Sequence, residues 1–166
     1  HLAHRRQRQM CIRDSVKPLD GMGGKSIYKM DKIQESEIET LLKMTNNEST
    51  QIITQEFIED IYEGDFRILI IHGKPFKKTL ARIPQGDSFK GNLAAGGKGV
   101  VKDISDFQFE MASEIGDFLI QKDINFAGID VIGNFLTEIN VTSPTCARQI
   151  LDQSGENPIQ EYFEKL

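Results

Sequence analysis

From residue 16 onward the chain alternates short runs with a period of two and longer runs with a period near 3.6, the spacings of strands and helices. A strand end at Val16-Lys17-Pro18 leads into a loop over 19–24, and residues 26–30 read as a short strand. Ile38, Leu41 and Leu42 give residues 33–44 a helical period. Residues 51–58 and 66–71 are β-rich, and His72-Gly73-Lys74-Pro75, expected to be exposed at His72, turns the chain into a return strand over 76–83. Ser105 and Gln108 can form a capping box that opens a helix. Its apolar face is Phe107, Met111, Ile115, Phe118 and Leu119, with Phe107 and Phe118 read as core. Residues 124–132 and 135–141 read as a hairpin, and helical segments over 144–153 and from Pro158 onward follow it. The expected class is α+β, with helices covering a mostly antiparallel sheet.

Composition narrows the function classes. At 166 residues, 39% hydrophobic and 27% charged, the chain is globular in type rather than disordered, collagen-like or coiled-coil. No apolar run approaches the roughly 20 residues of a membrane span, and the first ten residues lack the apolar stretch of a secretory signal. Cys11 and Cys146 form no disulfide framework, so a reducing, cytoplasmic setting is expected. Charge is uneven: residues 1–15 carry +3 and the remainder −8. That basic arm has no aromatic interleaving, and nucleic acid is not an expected partner.

Three features could carry chemistry. Asp130, Glu138 and Asn140 are oxygen donors on one hairpin, the type that Mg²⁺ or Mn²⁺ selects. Glu138 and Asn140 share a strand face, being two apart. A two-residue turn at Gly133-Asn134 would pair Asp130 with Thr137 and turn it away from Glu138, whereas a three-residue loop or a bulge would set the two acids opposite each other. The alternative is a plain solvated strand face. The second feature is the loop Asp20-Gly21-Met22-Gly23-Gly24 after Lys17, where backbone N–H groups and a fixed charge suit an anion; a glycine-rich hairpin turn would look the same. The third is the stretch 84–99, with five glycines from Gly86 to Gly99 and Lys90 and Lys98 interspersed, long and without secondary-structure signal, as in a lid or a flexible surface loop. Arg67 opens an apolar strand and reads as a placed charge, and Cys146 as a small buried residue.

Together, Lys17-Pro18-Leu19-Asp20-Gly21-Met22-Gly23-Gly24, Leu80-Ala81-Arg82-Ile83-Pro84-Gln85-Gly86, Gly91-Asn92-Leu93-Ala94-Ala95-Gly96-Gly97, Gly128-Ile129-Asp130 and Thr137-Glu138-Ile139-Asn140-Val141-Thr142-Ser143-Pro144-Thr145 closely resemble bacterial glutathione synthetase of the ATP-grasp superfamily. The resemblance implies an ATP-grasp fold of two α+β lobes gripping ATP, here a partial small lobe over 16–60 and a large lobe over 61–166 with the lid at 84–99. Residues 1–15 resemble nothing in the family and are expected to be a disordered leader, leaving the small lobe incomplete. The implied activity joins γ-glutamylcysteine and glycine through an acyl phosphate made with ATP. A nucleotide-binding remnant without turnover, or another ATP-grasp carboxylate–amine ligase, is the alternative.

Site roles follow the same resemblance. Asp130, Glu138 and Asn140 correspond to ligands of Mg²⁺ or Mn²⁺. Lys17, Gly21, Met22, Gly23 and Gly24 correspond to nucleotide-phosphate contacts. Gln55, Glu56, Phe57 and Ile58 correspond to the segment that meets adenine, Asp65 to an acid near the ribose, and Asn92 to a lid position. Arg67 and Arg82 face the substrate carboxylate and the transferred phosphoryl, and Ser143, Pro144 and Thr145 the peptide substrate. A full-length relative is expected to be a homo-oligomer.

Overall fold

The computed structural model describes residues 14–20, 25–30 and 34–166. The chain divides into two compact units, the first ending at Glu59 and the second starting at Asp60. In the first, β1 (Asp14–Pro18) lies between β2 (Tyr28–Met30) and β3 (Ile52–Glu56), antiparallel to both. Helix α1 (Glu35–Met44) belongs to the same unit and buries none of its residues, so the apolar spacing of Ile38 and Leu42 makes no core there.

The second unit holds a five-stranded antiparallel sheet in the order β6-β5-β4-β7-β8. Its strands are β4 (Asp65–Ile71), β5 (Lys74–Ile83), β6 (Lys98–Asp103), β7 (Phe126–Ile132) and β8 (Phe135–Asn140). Helix α2 (Asp106–Ile120) joins β6 to β7, and α3 (Ala147–Ser154) and α4 (Pro158–Glu164) follow β8. Side chains alternate across the sheet, so each strand feeds two cores. Ile68, Ile70, Ala127, Ile129 and Val131 pack with Ala112 and Leu119 of α2. Leu69, Ile71, Phe76 and Leu80 pack with Cys146 and with Ile150 of α3 on the other side. Cys146 is the small buried residue expected of it.

Several expectations need correction. The capping box forms, with the Gln108 N–H donating to Ser105 Oγ and the Ser105 N–H donating to Gln108 Oε1, but the buried stripe of α2 is Gln108, Ala112, Gly116 and Leu119. Phe107 and Phe118, read as core, are 45% and 55% exposed. The reason is close approach. A Cβ on Gly116 would sit 2.2 Å from the Gly73 carbonyl oxygen, so small residues occupy the line of contact and the large ones are displaced to its flanks. His72 is half-buried rather than exposed, stacked on the Tyr162 ring at a centroid distance of 4.9 Å. The stretch 84–99 is not structureless. Its second half forms a 3-10 turn, Leu93–Ala95, and enters β6 at Lys98. Asn92 O accepts from the N–H groups of Ala95 and Gly97, and Leu93 packs against the second core. Glycine content hid that strand.

Among the described residues no helix is long and apolar enough to cross a membrane. Gly116→Ala should destabilise the second unit by roughly 2 kcal/mol, although alanine is the better helix former by about 1 kcal/mol. A shift of the urea midpoint to lower concentration checks this, and a rise would show that the helix does not seat on the β4–β5 turn.

Candidate functional site

One face of the sheet changes character along its length. Beneath α3 it is apolar, and toward the start of β4 it becomes charged. The ladder sets out the charges in rows. Arg67 stands opposite Leu80 on β5 and opposite Asp130 on β7, and Asp130 stands opposite Glu138 on β8. One row further along, Asp65 stands opposite Arg82. On the other side, Gly128 stands opposite Asn140.

The register that opposes Asp130 to Glu138 is the bulged one. The Gly133-Asn134 turn pairs Ile132 with Phe135 and Val131 with Leu136, and the ladder then skips Thr137 so that Asp130 meets Glu138. The extra residue restores Glu138 and Asn140 to the Asp130 face.

Buried charge dominates this corner. Asp65, Arg67, Arg82 and Asp130 are each 8% exposed or less. Asp130 Oδ1 accepts from Arg67 Nε, and Asp130 Oδ2 accepts from Arg67 Nη2 at 2.9 Å. Arg82 Nη2 lies 2.8 Å from Asp130 Oδ2 and 2.6 Å from Asp65 Oδ2, ion contacts without hydrogen-bond alignment. Asp65 Oδ1 has no hydrogen-bond partner. With its amide turned to the orientation that satisfies both groups, Asn140 bridges the two halves, its nitrogen donating to Glu138 Oε1 at 2.8 Å and its oxygen accepting from Arg67 Nη2 at 3.2 Å. Arg67 Nη1 also reaches Thr145 Oγ1 at 3.5 Å.

Protonation follows from this packing. Burial pushes the Asp65 carboxyl up to about 6, with the Asp130 charge adding to it and Arg82 and Arg67 pulling the other way. Burial works against the charge on Arg82 and Arg67, but their carboxylate partners more than offset it, and both are held more firmly protonated than usual.

The second unit thus gathers Asp65, Arg67, Arg82, Asp130, Glu138, Asn140 and Thr145, with Ser143 exposed and Pro144 half-buried beside them in sequence. Asp65, expected near a ribose, is buried against Arg82. Asn92 is half-buried in the turn after β5. The first unit holds Lys17, half-buried on β1, the exposed pair Gln55 and Glu56 on β3, the buried Phe57 and the half-buried Ile58. Gly21, Met22, Gly23 and Gly24 lie outside the described residues, as do the first thirteen positions of the expected leader.

Two contributors escape a reading of side-chain chemistry. Gly128 leaves room for Arg67: a Cβ there would come within 3.0 Å of Arg67 Cδ and 2.9 Å of Pro144 Cβ. A glycine inside an apolar strand is the available signal for such an approach. The other is Thr137, the skipped residue. Among the described residues no three His, Cys, Asp or Glu side chains gather as a metal cluster, so a cation here would need the Asn140 amide oxygen beside two carboxylates.

The family described as prokaryotic glutathione synthetase, ATP-grasp domain, matches residues 4–155. The chain belongs to this family. The match takes in residues 4–15 of the segment read as unlike the family. The glutathione synthetase of Xylella fastidiosa strain 9a5c is 44% identical over 151 residues, 91% of this chain and 48% of the relative. That of Pseudomonas aeruginosa is 46% identical over 144 residues, 87% of this chain and 45% of the relative. The chain therefore spans about half the length of the curated relatives it matches. Among solved structures, D-cycloserine synthetase DcsG aligns at a TM-score of 0.67 and 16% identity, covering 98% of this chain and 56% of that one. The ATP-grasp ligase PsnB, solved with minimal precursor, Mg and ADP, aligns at 0.63 and 14% identity, covering 99% and 48%. The fold is ATP-grasp.

The raised Asp65 carboxyl gives a signed stability prediction. Between pH about 4 and about 6 the folded chain keeps a proton that the unfolded chain has lost, so this group's contribution falls as pH rises through that window. Relative to Asp65→Asn, the metal-free chain should lose on the order of 2 kcal/mol across the window. Parallel unfolding curves for the two proteins would contradict the assignment.

Proposed function

We propose that the chain is the nucleotide- and metal-handling part of a glutathione synthetase. In this reading the terminal carboxylate of γ-glutamylcysteine attacks the γ-phosphorus of ATP, ADP leaves, and the acyl phosphate is attacked by the amine of glycine, which expels phosphate. The observation that carries the reading is the bulged ladder that opposes Asp130 to Glu138 beside two buried arginines, on a chain of this family.

A carboxylate is a poor electrophile, and phosphoryl transfer asks the protein chiefly to position groups and neutralise charge. Arg67 and Arg82 suit that task. They are ionised, desolvated and held by Asp130 and Asp65, so they meet a carboxylate or phosphoryl group without reorganising. Asp130, Glu138 and Asn140 would hold Mg²⁺ (or Mn²⁺), and the donor chemistry fits. Asp130 accepts one hydrogen bond from Arg67 on each oxygen, with Arg82 Nη2 in ion contact at Oδ2, so of the roughly four acceptor positions on a carboxylate one on Oδ1 is clear of both arginines. Glu138 is exposed, with one oxygen engaged by Asn140. Held by these residues, such a cation would supply positive charge against a phosphoryl group.

The remaining roles are assigned on family likeness. Lys17 and the loop Gly21, Met22, Gly23 and Gly24 would hold the phosphates, and Gln55, Glu56, Phe57 and Ile58 would meet adenine. A ribose hydroxyl would fall to Asp65 Oδ1, the oxygen without a partner. The lid expected over 84–99, with Asn92, would cover the nucleotide, and Ser143, Pro144 and Thr145 would hold the peptide. The proposed setting is the cytoplasm, with the full-length protein a homo-oligomer.

Phosphate release from ATP tests the reading. It should require both γ-glutamylcysteine and glycine, and Glu138→Ala should lower it at least a hundredfold. Wild-type rates in Glu138→Ala would contradict the metal assignment. Protection from unfolding by Mg-ATP with no turnover would favour nucleotide binding alone.

A further inference from the structure

The residue that the ladder skips is not idle. Thr137 Oγ1 donates to the Asp130 carbonyl oxygen at 3.1 Å, from the half-buried position at which β8 departs from regular pairing. We propose that Thr137 is a positioning residue: its hydroxyl locks the β8 bulge and so holds Glu138 and Asn140 on the face of Asp130. The inference rests on the metal reading above for its functional consequence, but its structural half stands on the register alone.

A lock is needed because the competing register is close at hand. With Gly133-Asn134 as a two-residue turn, regular pairing continues from Leu136 to place Thr137 opposite Asp130. Glu138 and Asn140 would then move to the face that packs on α2, and the three oxygen donors would be split between the two sides. Hydrophobic patterning opposes that slip only in part. Ile139, which the bulge sets opposite Ile129, is still 42% exposed, and Leu136 faces Val131 in either register. Among the described residues β8 is also an edge strand, paired with β7 alone, so no second described neighbour fixes its register. The Thr137 hydroxyl supplies a contact that exists only when Thr137 is the extra residue, because it reaches the main chain of the residue it would otherwise face.

The experiment compares Thr137→Val, which keeps the shape and removes the donor, with Thr137→Ser, which keeps the donor. Register is read by nuclear Overhauser contacts across β7 and β8 in the metal-free chain. Wild type and Thr137→Ser should show the Asp130–Glu138 contact, and Thr137→Val should add a second set placing residue 137 opposite Asp130. Binding is read by titrating Mn²⁺ in the presence of ADP and following the free ion by electron paramagnetic resonance. Thr137→Val should weaken it roughly tenfold, the loss typical of groups that orient metal ligands, and Thr137→Ser should stay within about threefold of wild type. Removing Thr137 altogether makes the ladder regular with Glu138 still opposite Asp130, so that variant should bind Mn²⁺ like wild type. It also keeps the test decisive if Thr137→Val does not fold.

A single wild-type register and unchanged Mn²⁺ affinity in Thr137→Val would overturn the lock, as would loss in Thr137→Ser equal to that in Thr137→Val. Glu138→Ala separates the two readings. If it binds Mn²⁺ like wild type while Thr137→Val slips, the metal assignment fails and the register lock stands.

Discussion

Two opposite charges buried face to face on adjacent strands, Arg67 on β4 and Asp130 on β7, set the rest of the site. Neither could sit there alone. Removing a charge from water costs several kcal/mol, and partners must return it through close, complete contacts. Asp130 therefore fixes the guanidinium of Arg67 and meets Nη2 of Arg82, Asp65 meets the same Arg82 nitrogen, and Asn140 spans from Arg67 to Glu138. An apolar pair of similar volume could be as stable. What the charges provide is a fixed arrangement of donors and acceptors at one end of the sheet.

The sheet can afford that arrangement because its other surfaces are conventional. Alternation along β4 sends Ile68 and Ile70 to α2, and Leu69 and Ile71 to the α3 side. On that second side Asp65 and Arg67 simply continue the same alternation toward the start of the strand. The charged corner is therefore an extension of a well-packed face, held by strands whose positions the two cores determine. Gly128 completes it by leaving the volume that the Arg67 stem occupies.

How much of this is legible in the sequence depends on which forces decide each element. The β4–β5 and β7–β8 hairpins, the capping box of α2 and the placed charge of Arg67 are local signals, and the structure bears them out. The face of α2 is not local. Its contact line follows Ala112 and Gly116, whose importance comes from how close the helix lies to Gly73, so counting bulky residues chooses a rotated face. Strand β6 escapes because Lys98 and Gly99 carry no β signal and are ordered by pairing with Ile83 and Arg82. The bulge is an intermediate case. Spacing defines the two registers, and the choice between them lies in a hydroxyl, an exposed edge and a buried partner that act only once the sheet exists.

A double-mutant cycle on Arg67 and Asp130, using Arg67→Met, Asp130→Leu and the pair together in equilibrium urea unfolding, tests the central claim most directly. Each single change strands a buried charge and should cost about 3–5 kcal/mol, while the double change should cost far less than the sum. Additive losses within about 0.5 kcal/mol would show that the two side chains do not depend on each other, and would contradict the account.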